Sequence, residues 1–249
     1  MSELSTNGKQ STWSGVYKIG SVAILIAIPI YLLDIGISLT VRGADIRPDA
    51  LTAIDLFSLY QENWLLGFRA LGLINIAALV VSVPFFVALY GEQLRECRAY
   101  ATLSLIVWLL GATMYITNNV AVPMSVLSDK YASATTDFQR TLLAAAGEAM
   151  IARGADFTPG SFMGFFLTEI GAVGFSFIML RSRVFGRLIA FLGIVGFFLL
   201  SIFTVCSTFF PALFGLGTVI AMIGGLSGMA WYILIAFRLL RLGRLQGTT

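Results

Sequence analysis

The chain has 249 residues, 58 % of them hydrophobic and 12 % charged, with a net charge of +3 and a mean hydropathy of +0.89. A soluble domain carries about 25 % charged residues, so half that share, with apolar residues gathered in blocks of about twenty or more, indicates an integral membrane protein. The absence of histidine removes bis-histidine haem, histidine-liganded zinc or iron, and any histidine-based catalytic dyad.

In chain order, residues 1–16 form a polar tail. The apolar stretch behind it is too long for the core of a signal peptide and no A-x-A-like cleavage site follows it, so it reads as an uncleaved first span at about 19–41. Residues 42–64, "RGADIRPDALTAIDLFSLYQENW", suggest a short extra-membrane helix near 48–61, opened by Pro48 and Asp49. A second span follows at about 65–90, with a kink expected at Pro84. The charged loop "GEQLRECRA" then leads into a third span at about 100–122.

The longest connection is 123–160. Within it "TDFQ" (136–139) has capping-box spacing, with Thr136 as N-cap and Gln139 three positions on. This predicts a helix over 137–153, with Asp137 in its first turn, Arg153 in its last and Gly154 as its stop. The helix carries Glu148 and lies along the outer surface, either as a connector or as a lid over the bundle. Three more spans follow, at about 161–182, 187–210 and 214–239, before a basic tail at 240–249. Each candidate span has the roughly 20 residues that about 30 Å of hydrocarbon requires. The expected architecture is all-α: a single transmembrane domain over 1–249, a polytopic bundle of six spans.

With the N-terminus in the cytoplasm, ten of the sixteen basic residues fall on the cytoplasmic side, most densely in "GEQLRECRA", "RSRVFGR" and the C-terminal tail. Short loops carry the positive-inside bias, so both termini are expected to be cytoplasmic.

Polar residues inside the spans are the main functional signal. In "SFMGFFLTEIGAVGFSFIMLRSR" (161–183), Glu169 stands eight residues beyond Ser161, roughly 12 Å inward by helical rise. Asp34, Arg69, Asn118 and Asn119 fall at comparable depths in the same, outer half of the membrane. An ionised group at mid-bilayer costs about 2.5–3.5 kcal/mol on insertion scales. Asp34, Arg69, Asn118, Asn119 and Glu169 are therefore expected to face into the bundle as a ligand-binding or ion-pair cluster, with Arg69 paired to Asp34 or Glu169. The alternatives are a pair that only fixes helix register, or an Arg69 that reaches the headgroups.

Small residues at Gly160, Gly164, Thr168 and Gly171, and again at Ala221, Gly224, Gly225 and Gly228, mark faces for close helix packing within the chain. Lys9, Lys18 and Lys130 lie outside the apolar cores, which leaves no lysine for a Schiff base. Cys97 and Cys206 fall near opposite surfaces and make no metal site. The chain contains no G-x-x-x-x-G-K-[ST], G-x-G-x-x-G, GxGD or D-x-x-x-D motif. "CSTFF" (206–210) offers hydroxyls and a thiol with no histidine to activate them.

The stretch from "LTEIGAVGFSFIMLRSRVFGRLIAFLGIVGFFLL" (167–200) to the closing "GMAWYILIAFRLLRLG", together with the opening "YKIGSVAILIAIPIYLL", resembles a widespread family of uncharacterised prokaryotic six-helix membrane proteins, a domain of unknown function. The resemblance is best over 167–240, with Phe185–Gly186 standing where that family usually has a proline. It implies a fold and no activity, and carries over no site residue.

The expectation is a multi-pass protein of the cell membrane, a prokaryotic plasma membrane by that resemblance. It would bind a lipid, a small amphipathic molecule or a partner membrane subunit through the outer polar site. The other classes are a proton-coupled carrier using intramembrane carboxylates, an intramembrane lipid or isoprenoid enzyme, and a structural subunit; binding is favoured over enzymatic activity. No cofactor, metal or catalytic residue is implied. The expected partners are membrane lipids and a partner subunit or second copy of the chain, with no nucleic acid.

Overall fold

A computed structural model of the protein describes residues 3–38, 51–182 and 184–245. Nine α-helices make up the described chain: α1 (Glu3–Ser38), α2 (Ala53–Glu62), α3 (Trp64–Ala70), α4 (Leu73–Asn118), α5 (Ala121–Ser133), α6 (Asp137–Gly154), α7 (Pro159–Met179), α8 (Gly186–Phe209) and α9 (Phe214–Leu245). A 3-10 turn, Pro211–Leu213, precedes the last of them. Six segments are long and apolar enough to cross a membrane, and they form an all-α bundle. Large apolar side chains such as Ile19, Leu103, Phe198 and Leu226 stand exposed on its outer surface, as lipid contact requires.

Helix α4 supplies two of the six spans. The charged stretch between them is helical and not a loop, and within α4 the backbone leaves helical values at Cys97 (φ −147°, ψ 66°). Pro84 lies inside α4, where the backbone keeps helical values. The ring closes as α1 packs on α4, α4 on α7, α7 on α8, α8 on α9 and α9 back on α1. Ser14 Oγ donates to the Gly243 carbonyl at 2.7 Å, so the beginning of the first span and the end of the last share one end of the bundle.

Small residues set the approach of these helices. A Cβ added at Gly164 would fall 2.9 Å from the Tyr115 Cα, and one at Gly171 would fall 2.8 Å from the Trp108 Cα. Gly196 and Gly224 meet in the same way across α8 and α9, so the glycines at GxxxG spacing serve packing within the chain. Between the helices lies an aromatic core. Phe86 stacks on Trp108 with ring centroids 4.0 Å apart, while Trp231 packs edge-on against Phe197 at 5.1 Å and against Tyr232 at 5.2 Å.

The other end of the bundle is covered by a cap of four short helices, α2, α3, α5 and α6, with a core of its own built from Leu56, Phe57, Tyr60, Leu71, Met124 and Ile151. Helix α2 starts at Ala53 behind a Thr52–Asp55 capping box, and Glu148 of α6 accepts from the Ala53 N–H at 2.7 Å. The opening at Pro48 and Asp49 lies outside the described residues. The second span begins at Leu73 and not near 65, because Gly72 takes a left-handed turn (φ +74°) that separates it from α3. The third span ends at Asn118. Helix α5, which the sequence reading leaves inside a connection, starts three positions later at Ala121, with Asn119 Oδ1 accepting from the Ala121 N–H at 3.0 Å. Helix α6 forms where "TDFQ" predicts it: Thr136 Oγ1 accepts from the Gln139 N–H, and the Gln139 side chain accepts from Thr135.

Candidate functional site

The five polar residues singled out from the sequence separate into two groups. At the cap end, Arg69 Nε donates to Asp34 Oδ1 at 3.1 Å, with the two side chains 10 % and 17 % exposed. Arg69 belongs to α3 and not to the interior of the second span, so the pair ties the end of the first span to the cap. Asn118 Nδ2 donates to the Gly160 carbonyl at 3.0 Å, and Asn119 Nδ2 donates to the Leu71 carbonyl at 2.6 Å. Both amides thus anchor backbone at the junctions between spans and cap.

A residue the sequence reading passed over completes this group. Asp156, buried in the turn between α6 and α7, accepts from the Tyr115 hydroxyl at 2.9 Å. Asn75 lies against both Tyr115 and Asp156, and Asp34 and Arg69 are close enough to act on Asp156 electrostatically. The turn is shaped by Phe157, which holds a left-handed backbone (φ +65°) and packs its ring on Phe203 and Phe214. A left-handed non-glycine residue costs about 1–2 kcal/mol, which those ring contacts help to offset. Gly72 closes the other side: a Cβ there would meet the Tyr115 hydroxyl and fall 3.0 Å from both Asp156 oxygens.

Glu169 makes different contacts. It stands ten residues into α7, about 15 Å along the helix by its rise, and Oε1 accepts from Thr204 Oγ1 of α8 at 2.9 Å. Oε2 is buried without a hydrogen-bond partner. The Ser201 hydroxyl lies beside the Glu169 carboxylate and also within reach of the Phe197 carbonyl, at 2.9 Å. A buried carboxylate oxygen with no donor costs about 1–3 kcal/mol or more.

Beside Glu169 lies a cavity of about 170 Å³. Its wall is drawn from five spanning helices: Tyr31 from α1, Asn75, Leu79, Trp108 and Tyr115 from α4, Gly164, Phe165, Thr168 and Glu169 from α7, Phe197 and Leu200 from α8, and Tyr232 from α9. Among the described residues Glu169 is the one charged residue in that wall. Tyr115 belongs to both groups, lining the cavity while its hydroxyl reaches Asp156. The asparagine–tyrosine–aspartate set therefore joins the cap-end ion pair to the chamber that holds Glu169. Among the described residues no group of three or more cysteine, aspartate or glutamate side chains is placed to hold a metal ion. No family model matches the chain, and no match was found among curated proteins or among solved structures.

Proposed function

We propose that this membrane protein binds a small molecule, or the head of an amphipathic one, in the cavity beside Glu169. The observation that carries the reading is Glu169, a carboxylate on the wall of a partly open cavity whose Oε2 is buried without a hydrogen-bond partner. A side chain kept only to fix packing has its polar atoms satisfied by protein partners and no chamber beside it. A wall of aromatic and aliphatic side chains with a few convergent polar groups is the usual make-up of a ligand site, although 170 Å³ limits the occupant to something small. Acid–base catalysis by a carboxylate pair finds less support, since Glu169 is the single carboxylate in that wall.

The test is native mass spectrometry of protein purified in mild detergent, comparing the wild type with Leu79→Trp, which fills the cavity from α4. The expected result is a small-molecule or lipid adduct on the wild type that the variant loses. Retention of the same adduct by a folded Leu79→Trp protein removes the reading.

A proton-coupled carrier is the second reading, favoured by the Asp156–Tyr115–Asn75 set that leads from the cap toward the chamber of Glu169. Tyr115→Phe removes its one hydroxyl relay. Proton uptake into proteoliposomes that is unchanged in this variant, or absent from the wild type, rules out this route.

A further inference from the structure

We infer that the occupant of the Glu169 cavity is a small organic ammonium ion carrying at least one N–H. The inference rests on the binding reading above and names the chemistry that the wall selects. Among the described residues Glu169 supplies the only formal charge on the wall, and no lysine or arginine lines it. An anionic occupant would meet an uncompensated carboxylate, whereas a monovalent cation makes the chamber neutral overall. Six of the twelve described lining residues are aromatic, and ring faces attract a cation.

The bare Oε2 narrows the class further. It needs a donor, so a protonated amine fits better than a quaternary ammonium, which has none to give. A metal ion would require several oxygen ligands, and among the described residues no acidic cluster provides them. Leu79, Leu200 and Phe165 give the rest of the occupant an apolar lodging. Two sources carry this chemistry: a free amine, and the ethanolamine headgroup of a phospholipid.

The test uses 2-phenylethylamine and 2-phenylethanol, which share shape and a hydrogen-bond donor and differ in charge at neutral pH. Binding to detergent-purified protein is measured for the wild type, Glu169→Gln, Leu79→Trp and, should that variant fail to fold, Leu200→Trp. Wild-type protein is expected to prefer the amine by roughly tenfold or more, the preference is expected to shrink to about twofold or less in Glu169→Gln, and the cavity-filling variants are expected to lose both probes. Equal binding of amine and alcohol to the wild type, both lost on filling the cavity, overturns the ammonium assignment and leaves the binding site standing. Failure of the amine to bind saturably also overturns it. Failure of the site itself shows separately, as a native-mass adduct that survives Leu79→Trp. Competition of the amine by vesicles containing ethanolamine phospholipid, but not by choline phospholipid vesicles, supports the headgroup as the source; a free amine is supported where neither competes.

Discussion

Thr204 donates its hydroxyl to Glu169 Oε1 at 2.9 Å across the α7–α8 contact, and this bond leaves the second carboxylate oxygen bare inside the bundle. The pair is therefore half of a coordination shell. Thr204→Val keeps the shape of the side chain and removes the donor to Oε1. The expected cost is about 1–3 kcal/mol in chemical denaturation in detergent micelles. Glu169→Met combined with Thr204→Val replaces both partners by apolar groups, so it should cost clearly less than the sum of the single changes. Additive costs would show that the bond does not couple the two helices.

The six spans were legible because length and apolar content alone decide what can cross hydrocarbon, and no tertiary detail enters that decision. Glu169 was legible for the same reason, being a charge in an apolar run. The cap was not. Residues 64–72 are mostly apolar and run straight into the second span, and what cuts them off is a left-handed glycine, Gly72, which a hydropathy pattern does not register. Asp156 lies in an ordinary turn sequence, "GADFTPG", and its importance comes from a partner 41 positions away, Tyr115. Asn75, a lone polar residue in "LINIAALVV", was a readable signal left unread. Pairing was the least legible part: depth placed Arg69 near both Asp34 and Glu169, and only the separate direction of α3 brings it to Asp34.

The Arg69–Asp34 pair is mostly buried and joins the cap to the first span. Removing one partner from a buried pair leaves a charge without compensation, which costs about 3–5 kcal/mol. Asp34→Asn and Arg69→Met should each lower the midpoint of detergent-phase unfolding strongly, and the double variant should recover much of the loss. A double variant as weak as the worse single one would show that the two charges are not satisfying each other.

Gly72 and Gly186 share nearly the same backbone, φ +74° and +75°, in very different surroundings. A Cβ at Gly186 would meet nothing within 4 Å, whereas one at Gly72 would run into Tyr115 and Asp156. Gly186→Ala should therefore show only the conformational cost of about 1–2 kcal/mol. Gly72→Ala should cost more and should also displace Tyr115 from Asp156, a change that tyrosine fluorescence or side-chain NMR would register. Equal losses of stability for the two variants would mean that the Tyr115–Asp156 contact yields without penalty.

The capping box at the start of α2 gives the cap a pH dependence of defined sign. Asp55 Oδ2 accepts from Thr52 Oγ1 at 2.7 Å and from the Thr52 N–H at 2.9 Å, while Thr52 Oγ1 accepts from the Asp55 N–H. The side-chain bond first, and then the backbone bond, hold the Asp55 carboxyl below its ordinary value of 3.8, against a small opposing effect of burial. Because the folded value is the lower one, the stabilisation is complete above 3.8 and fades as the pH falls through the depressed value. An exposed cap of this kind contributes on the order of 1 kcal/mol. Asp55→Ala should thus reduce amide-exchange protection in the first turn of α2 at pH 7, and the gap between variant and wild type should narrow once the pH drops below 3.8. A gap of constant size across that range would show that what Asp55 contributes does not depend on its carboxylate charge, and no gap at any pH would assign the cap to the Thr52 hydroxyl alone.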